Sequence, residues 1–521
     1  MGMVAVDRRI GSAFFVFCGQ HGDVSRFAQE QGVSRQWLYR EADGVLDALE
    51  GTRTREVIDR LRRDNAALQA QVAEFERRLR VAVVLDEEKQ AEMACVGQAC
   101  GVTLPQCRTL LEVLIAKPLS VPTLGRRTQA LGEKSAALLE VFDEYARQQV
   151  RDAAADEIYV RAPVLMVVEQ ESLCWISGRL SEEVSGAAWS QEFAQLPNLE
   201  QTAVDGGTGL AKGLDLVNEQ RQQQEKKPVV LQGDHFHALW TGGVGLRRAE
   251  KRASKALAEA EDAQKALDAC ARQGRKQTGP SVRASHAWRK AEKAMDAWGD
   301  LERSWQQTKD ALPLVTPEGK LNSRAKAEAV LAHTLPQLPD SDFAKCKRKL
   351  QQPEMLNYLD HVHDQLAALP YPEGVKQAAV RQEALRRRPE LLRGENPQAA
   401  ALRGVMLVCA VVLSKAETVG QQAVEAVRQL FRRAYRASSL VECINSVLRM
   451  HQAQHRKMTQ GMLNLKRLYW NSHTFRTGRR RNTTPYQRLG VPWPPGMRWW
   501  DVLKLTPEQL RERLSTVKMA A

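Results

Sequence analysis

The sequence predicts a multidomain α+β chain, mostly helical, in which a small strand-rich core is split by a long helical insertion. Three observations predict it. Strand signals are confined to residues 151–240, and helical periodicity with dense charge fills the stretches on either side. The chain has 521 residues, more than one hydrophobic core ordinarily spans, so several units are required.

The formal net charge of +14 accompanies an ordinary 26% of charged residues, so positive charge is laid over a normal globular composition. Such a surface attracts a polyanion. Nine cysteines without regular spacing fit no disulfide framework of a secreted protein. Cys95, Cys100 and Cys107 are followed by no Cys or His pair at zinc spacing and are expected to be structural thiols. The N-terminus does not read as a charged-then-apolar signal, and the apolar run Val405 to Leu413 is too short to span a bilayer. A soluble, cytoplasmic protein with no membrane partner is expected.

Residues 1–50 have a helix-turn-helix rhythm: Ala28 permits a close crossing, Gly32 makes the turn and Ser34 caps the second helix. Arg35, Gln36, Tyr39 and Arg40 would then face the major groove of DNA. Over residues 51–92 apolar residues recur in heptads, with Ile58, Asn65, Val72 and Leu79 at one seam position and Leu61, Leu68, Phe75 and Ala82 at the other. That pattern predicts a coiled coil, and a polar Asn65 in the seam favours a two-stranded state. A homodimer, or a higher oligomer on DNA, follows. Residues 93–150 read as a second small helical DNA-binding unit, punctuated by Pro122 and Gly132 and carrying Arg126 and Arg127.

Residues 151–245 hold the strands. Asp156 opens the first, Pro163–Val168 and Ser172–Gly178 follow, Thr202–Asp205 ends before a glycine pair, a helix covers Leu210–Gln224, and Pro228–Gln232 is last. Antiparallel strands followed by a strand, helix and strand make the order of an RNase H-like sheet. Asp234 and His237 lie just past the last strand, placed to support an acidic site from behind. Residues 246–420 form the all-helical insertion, where Trp288 and Trp298 lie among cations and could stack an unpaired base. Residues 421–475 return to the core with one predicted helix from Ala437 to Phe475. On it Glu442, Asn445 and Arg449 share a face, opposite Leu440, Ile444, Val447 and Leu448. The tail, 476–521, is basic and aromatic. Arg479, Arg480 and Arg481 there suit phosphate contact, and Trp493–Trp500 is expected to dock the C-terminus on the body.

Asp156 in Asp-Glu-Ile-Tyr-Val, Asp205 before its glycines, and Glu442 in Ser-Ser-x-Val-Glu-x-x-Asn-Ser-x-Leu-Arg together resemble the DDE transposases of bacterial insertion sequences. The ending Tyr469-x-Asn471-x-His473-x-Phe475, then Thr483-Thr484-Pro485-x-x-x-Leu489-Gly490, is also similar to theirs. Asp234-x-x-His237 is similar to a signature of the Mutator-like and hAT-like groups, which carry a helical insertion before the glutamate. The resemblance spans about residues 150–490. It implies nucleoid-associated transposition, with one metal bridged by Asp156 and Asp205 and a second shared by Asp156 and Glu442. The residue chemistry agrees, because phosphodiester cleavage suits two Mg2+ ions, with Mn2+ able to substitute, and such hard cations prefer carboxylate oxygens. A structure-specific nuclease of the same class and a non-catalytic DNA-binding protein stay open at this point.

Overall fold

The computed structural model describes residues 2–48, 52–81, 85–115, 117–454 and 458–520. They form two compact bodies, one of Met1–Asp86 with Thr109–Pro118, the other of Glu87–Arg108 with Leu119–Ala521.

In the first body the helices Gly2–Cys18, Asp23–Gln31 and Arg35–Ala48 pack around Ala28, Leu38 and Ala42. Phe15 stacks on Phe27 with ring centres 4.3 Å apart. Gly32 adopts the left-handed conformation (φ 65°) that the turn requires, and Ser34 Oγ accepts the Trp37 amide at 3.1 Å. Arg35, Gln36, Tyr39 and Arg40 are all exposed. The helix Thr52–Val81 follows, with Leu61, Leu68, Val72 and Phe75 each more than half exposed. Ala82 lies outside the described residues.

The second body is built on one five-stranded mixed sheet. Its strands are β1 (Asp152–Val160), β2 (Ala162–Glu169), β3 (Trp175–Leu180), β4 (Gln201–Val204) and β5 (Val230–Gly233), ordered β3-β2-β1-β4-β5. β1, β2 and β3 are antiparallel neighbours, whereas β4 and β5 run parallel to β1. β1 begins four residues before Asp156. Ala153, Ala154 and Ala155 carry little intrinsic strand preference, but all three are fully buried between layers, and packing overrides propensity.

Both faces of the sheet are covered. Ala153, Ala155, Leu165 and Val167 face a core shared with the helices Val121–Gln149, Gly186–Ala194 and Thr208–Gln223 and with the C-terminal Tyr486, Trp500 and Leu510. Ala154, Ile158, Val164 and Met166 face Val441, Ile444, Leu448 and Leu463. Residues 93–150 are divided rather than one small unit: Thr109–Pro118 belongs to the first body, whereas Leu138, Leu139, Phe142 and Ala146 on the helix Val121–Gln149 are part of the sheet core. The tail is likewise core, with Phe142, Tyr486 and Trp493 in one aromatic cluster: the ring centre of Phe142 lies 4.9 Å from that of Tyr486 and 5.2 Å from that of Trp493, which are 6.1 Å from each other.

The insertion is longer than 246–420. Its first helix, His235–Arg272, leaves β5 directly because Asp234 caps it, and it lies against Thr278–Asp310. At the far end the helix Glu417–Arg432 buries Ala423, Val427 and Phe431 in the insertion's own core, beside Trp305, Phe343 and Tyr358. The apolar stretch also exceeds the expected run. The helix Pro397–Lys415 has 19 residues, and an 18-residue stretch of it has a mean hydropathy of 1.6, long and apolar enough to cross a membrane by length and composition, with 17% of that stretch buried. The single helix expected from Ala437 to Phe475 is two, Ser439–Gln454 and Gln460–Ser472, the second capped by Thr459 Oγ1.

Candidate active site at the sheet edge

The register of the parallel strands builds the site. Ala155 of β1 pairs with Val204 of β4, which pairs with Gly233 of β5. The next residue on each strand is an aspartate, so Asp156, Asp205 and Asp234 stand in one row at the carboxyl edge of β4 and β5. Asp156 shares its face with Ala154 and Ile158, toward the helix Ser439–Gln454. That helix buries Val441, Ile444 and Leu448 against the sheet, while Val447, expected on the apolar face, is half-buried. Asn445 is buried at the border, where Nδ2 donates to Asp156 Oδ2 at 2.8 Å.

Asp156 is 7% exposed, and Oδ1 accepts the Glu157 amide at 2.9 Å. Burial, then the like charges of Asp205 and Glu442, push its pKa up to about 7. Asp205 Oδ1 accepts the Gly207 amide at 3.1 Å as the chain turns through Gly206, at φ +96°. Glu442 is held differently, by an ion pair with Arg449 two turns along the same helix, at 2.8 Å.

Compared with known protein families and with curated proteins, the sequence matches none.

Asp234 has a clasping role. Its carboxylate accepts the Phe236 amide (2.6 Å), the His237 amide (3.2 Å), His237 Nδ1 (2.9 Å) and the Ser438 amide (3.1 Å), and also Ser438 Oγ. Burial opposes its ionisation, yet the bonds from His237 and Ser438 win and hold its pKa below the usual range. Ser438 directly precedes the helix of Glu442, so this clasp fixes where that helix starts. The Asp234 carboxylate also raises the pKa of His237.

The donor set of the cluster is all carboxylate oxygen, which suits Mg2+ or Mn2+. Its charge repulsion is the kind a cation relieves. Among the described residues, however, no three acidic, His or Cys side chains stand at the spacing that holds an ion, and Glu442 faces Arg449 instead. Sequence reasoning passed over three groups here. Glu157 follows Asp156, lies beside Gly207 and Asp205, and keeps Oε2 buried without a partner; burial and Asp205 raise its pKa. Ser438 stood within the quoted motif with no role. Lys349, from the insertion, donates to the Asp205 carbonyl at 2.8 Å, and no local pattern announces a contact between residues so far apart.

The other candidate residues are dispersed. Arg126 is exposed and donates to Thr123 Oγ1 at 3.3 Å, while Arg127 pairs with Glu87. Trp288 is 40% exposed, with Nε1 donating to Gln264 Oε1 at 3.3 Å. Trp298 packs against the insertion core with its Nε1 buried and unpartnered, so it serves packing rather than base stacking. Arg479 and Arg481 are exposed. Arg480 is partly engaged by the body: Nε donates to the Glu171 carbonyl (3.0 Å) and Nη2 to the Gln170 carbonyl (3.2 Å), anchoring the tail to the β2–β3 turn.

Proposed function

We propose that the chain is a DNA strand-cleaving and strand-joining enzyme of the DDE transposase type, built on an RNase H-like core. The observation that carries this reading is the placement of Asp156 and Asp205 at two adjacent parallel strand ends, with the helix that bears Glu442 packed on the same sheet face. The strand order and the basic charge support it.

Two Mg2+ ions, when bound, would supply Lewis-acid activation of the nucleophile and stabilisation of the leaving oxygen. Asp156, Asp205 and Glu442 would hold them once Glu442 exchanges its Arg449 ion pair for the metal, with Asn445 fixing the rotamer of Asp156 and the Asp234–Ser438 clasp fixing the helix of Glu442. Water attacks the phosphorus at the transposon end, the P–O3′ bond breaks, and the 3′-oxygen leaves as a hydroxyl. That 3′-OH then attacks a target phosphodiester and a new 3′-hydroxyl departs, so one bond forms for each that breaks and no further energy source is needed. Double-stranded DNA, as element end and as target, is the partner, bound by a homodimer.

The test uses labelled duplexes carrying the sequences that flank the reading frame, incubated with Mg2+ and target plasmid. Nicked and joined products are expected from the wild type. Asp156→Asn and Glu442→Gln should bind the duplex and yield neither product. Unaltered cleavage in both variants refutes the assignment. The Glu442–Arg449 pair favours a second reading, a DNA-binding protein that does not cut; binding without products in the wild type would establish it.

A further inference from the structure

The helical insertion delivers one cation to the acidic edge. Lys349 lies in the last turn of the helix Asp340–Leu350, half-buried, with Nζ donating to the backbone carbonyl of Asp205 at 2.8 Å. It meets the carbonyl and not the carboxylate, whose Oδ1 is turned to the Gly207 amide. It is also near enough to His237 to oppose part of the rise that Asp234 gives that residue's pKa.

Its seat is stitched to β5. The Met355 carbonyl accepts Gln232 Nε2 at 3.1 Å and His235 Nε2 at 2.6 Å. Asn357 Nδ2 donates to the Leu231 carbonyl at 2.8 Å, and the Tyr358 amide to Gln232 Oε1 at 2.7 Å. Gly233 lies flat against Met355, where any Cβ would collide with the thioether. The insertion thus fixes the far end of the helix Asp340–Leu350 against the strand that carries Asp234.

A lysine ammonium offers three donors, and only one is used here. Neighbouring Lys347 pairs with Asp340 at 2.5 Å, whereas among the described residues Lys349 forms no ion pair. A half-buried cation without a counter-ion, beside a row of carboxylates that could have neutralised it, is poised for an anion that is not part of the protein. We infer that Lys349 contacts a DNA phosphate at the acidic edge, donating to a non-bridging oxygen next to Asp205, so that the insertion completes the site rather than merely overhanging it. This rests on the strand-transfer reading above, since it takes DNA to be the substrate of that edge.

The alternative is a strut that only ties the insertion to β4. Binding of flanking-sequence duplex, read by fluorescence anisotropy, is compared for wild type, Lys349→Met and Lys349→Arg, together with melting temperatures. A series of duplexes each carries one neutral methylphosphonate. Lys349→Met should weaken binding of the natural duplex by about 10-fold and lower the salt slope by about 0.9. Lys349→Arg should stay within about threefold, because a guanidinium keeps the charge and the donors. At one methylphosphonate position wild type and Lys349→Met should bind equally. Equal binding of the natural duplex by both proteins overturns the inference, as does a deficit that persists at every methylphosphonate position or one that merely follows a lowered melting temperature. Cleavage by the wild type is scored separately: its absence refutes the strand-transfer chemistry, whereas a silent Lys349→Met beside an active wild type refutes only the lysine's role.

Discussion

Asp156→Asn should stabilise the ion-free protein, and by an amount that depends on pH. The Asp156 carboxyl titrates near 7 instead of 3.8, because it is buried and faces Asp205 and Glu442. A folded pKa above the unfolded one means that the group favours the folded state fully below about pH 4, and that this advantage is lost as the pH rises to about 7. At about 1.4 kcal/mol for each pH unit between the two values, ionised Asp156 opposes folding by about 4 kcal/mol at pH 8 and by under about 2 kcal/mol at pH 5. Asparagine removes that opposition. Its carbonyl can still accept from Asn445, but its amide nitrogen faces the Glu157 amide and that bond is lost, at about 1 kcal/mol. The net gain is about 3 kcal/mol at pH 8 and under about 1 kcal/mol at pH 5. In a body of roughly 400 residues each kcal/mol moves the melting temperature by about 1 °C, so differential scanning fluorimetry should show the variant melting about 3 °C higher at pH 8 and nearly level at pH 5. Added Mg2+ should raise the wild type and leave the variant in place. A gain equal at both pH values, or a variant less stable at pH 8, would refute the electrostatic reasoning.

Three further outcomes follow from named contacts. Arg433→Ala leaves Asp152 buried without its partner, which now sits 2.6 Å away, with Glu200 sharing the guanidinium at 2.9 Å; a loss of about 3–5 kcal/mol is expected in thermal or urea unfolding. Leu61→Glu combined with Leu68→Glu places charge in an apolar stripe whose members are 58% and 60% exposed within one chain, so sedimentation should shift from dimer to monomer while the melting of the sheet body is unchanged. Arg35→Ala and Arg40→Ala should change sequence preference, whereas Arg479→Ala with Arg481→Ala should weaken binding to any duplex and flatten its salt slope by roughly 2, both read in competition binding.

The strands were legible because period-two apolar patterns and turn residues cluster in residues 151–240, and the turn after β4 was legible from its glycines. The row of aspartates was not, because alternation sets which face a residue takes and says nothing of which residue lies opposite. Asp234 illustrates the difference: its motif marks it for the acidic site, but the clasp on Ser438 depends on a segment that returns only after the whole insertion. Arg449 was placed correctly on the Glu442 face, yet its ion pair with that glutamate depends on side-chain reach and not on spacing alone. The insertion's limits were misjudged at both ends for one reason. The helix from His235 and the helix ending at Arg432 have no composition break where the core stops; only the apolar residues that each buries tell which core owns it.

Those two limits also explain how so long an insertion leaves the sheet intact. The His235 amide donates to the Arg436 carbonyl at 2.9 Å, and Asp234 grips Ser438, so the chain returns within hydrogen-bonding distance of the point where it left β5. Arg433 adds a second stitch, from the end of the insertion to Asp152 at the start of β1 and Glu200 just before β4. To the sheet, the insertion is a closed loop whose ends are fixed by five residues, and loop-closure entropy grows only slowly with its length. Glu442 lies four residues beyond the clasp, on the first turn of a helix that cannot start elsewhere while Asp234 holds Ser438. The acid most distant in sequence from Asp156 is thereby positioned from β5, so Asp234 matters to the cluster as the group that sets the third acid's place, and a substitution there should displace Glu442 without touching the Asp156–Asp205 pair.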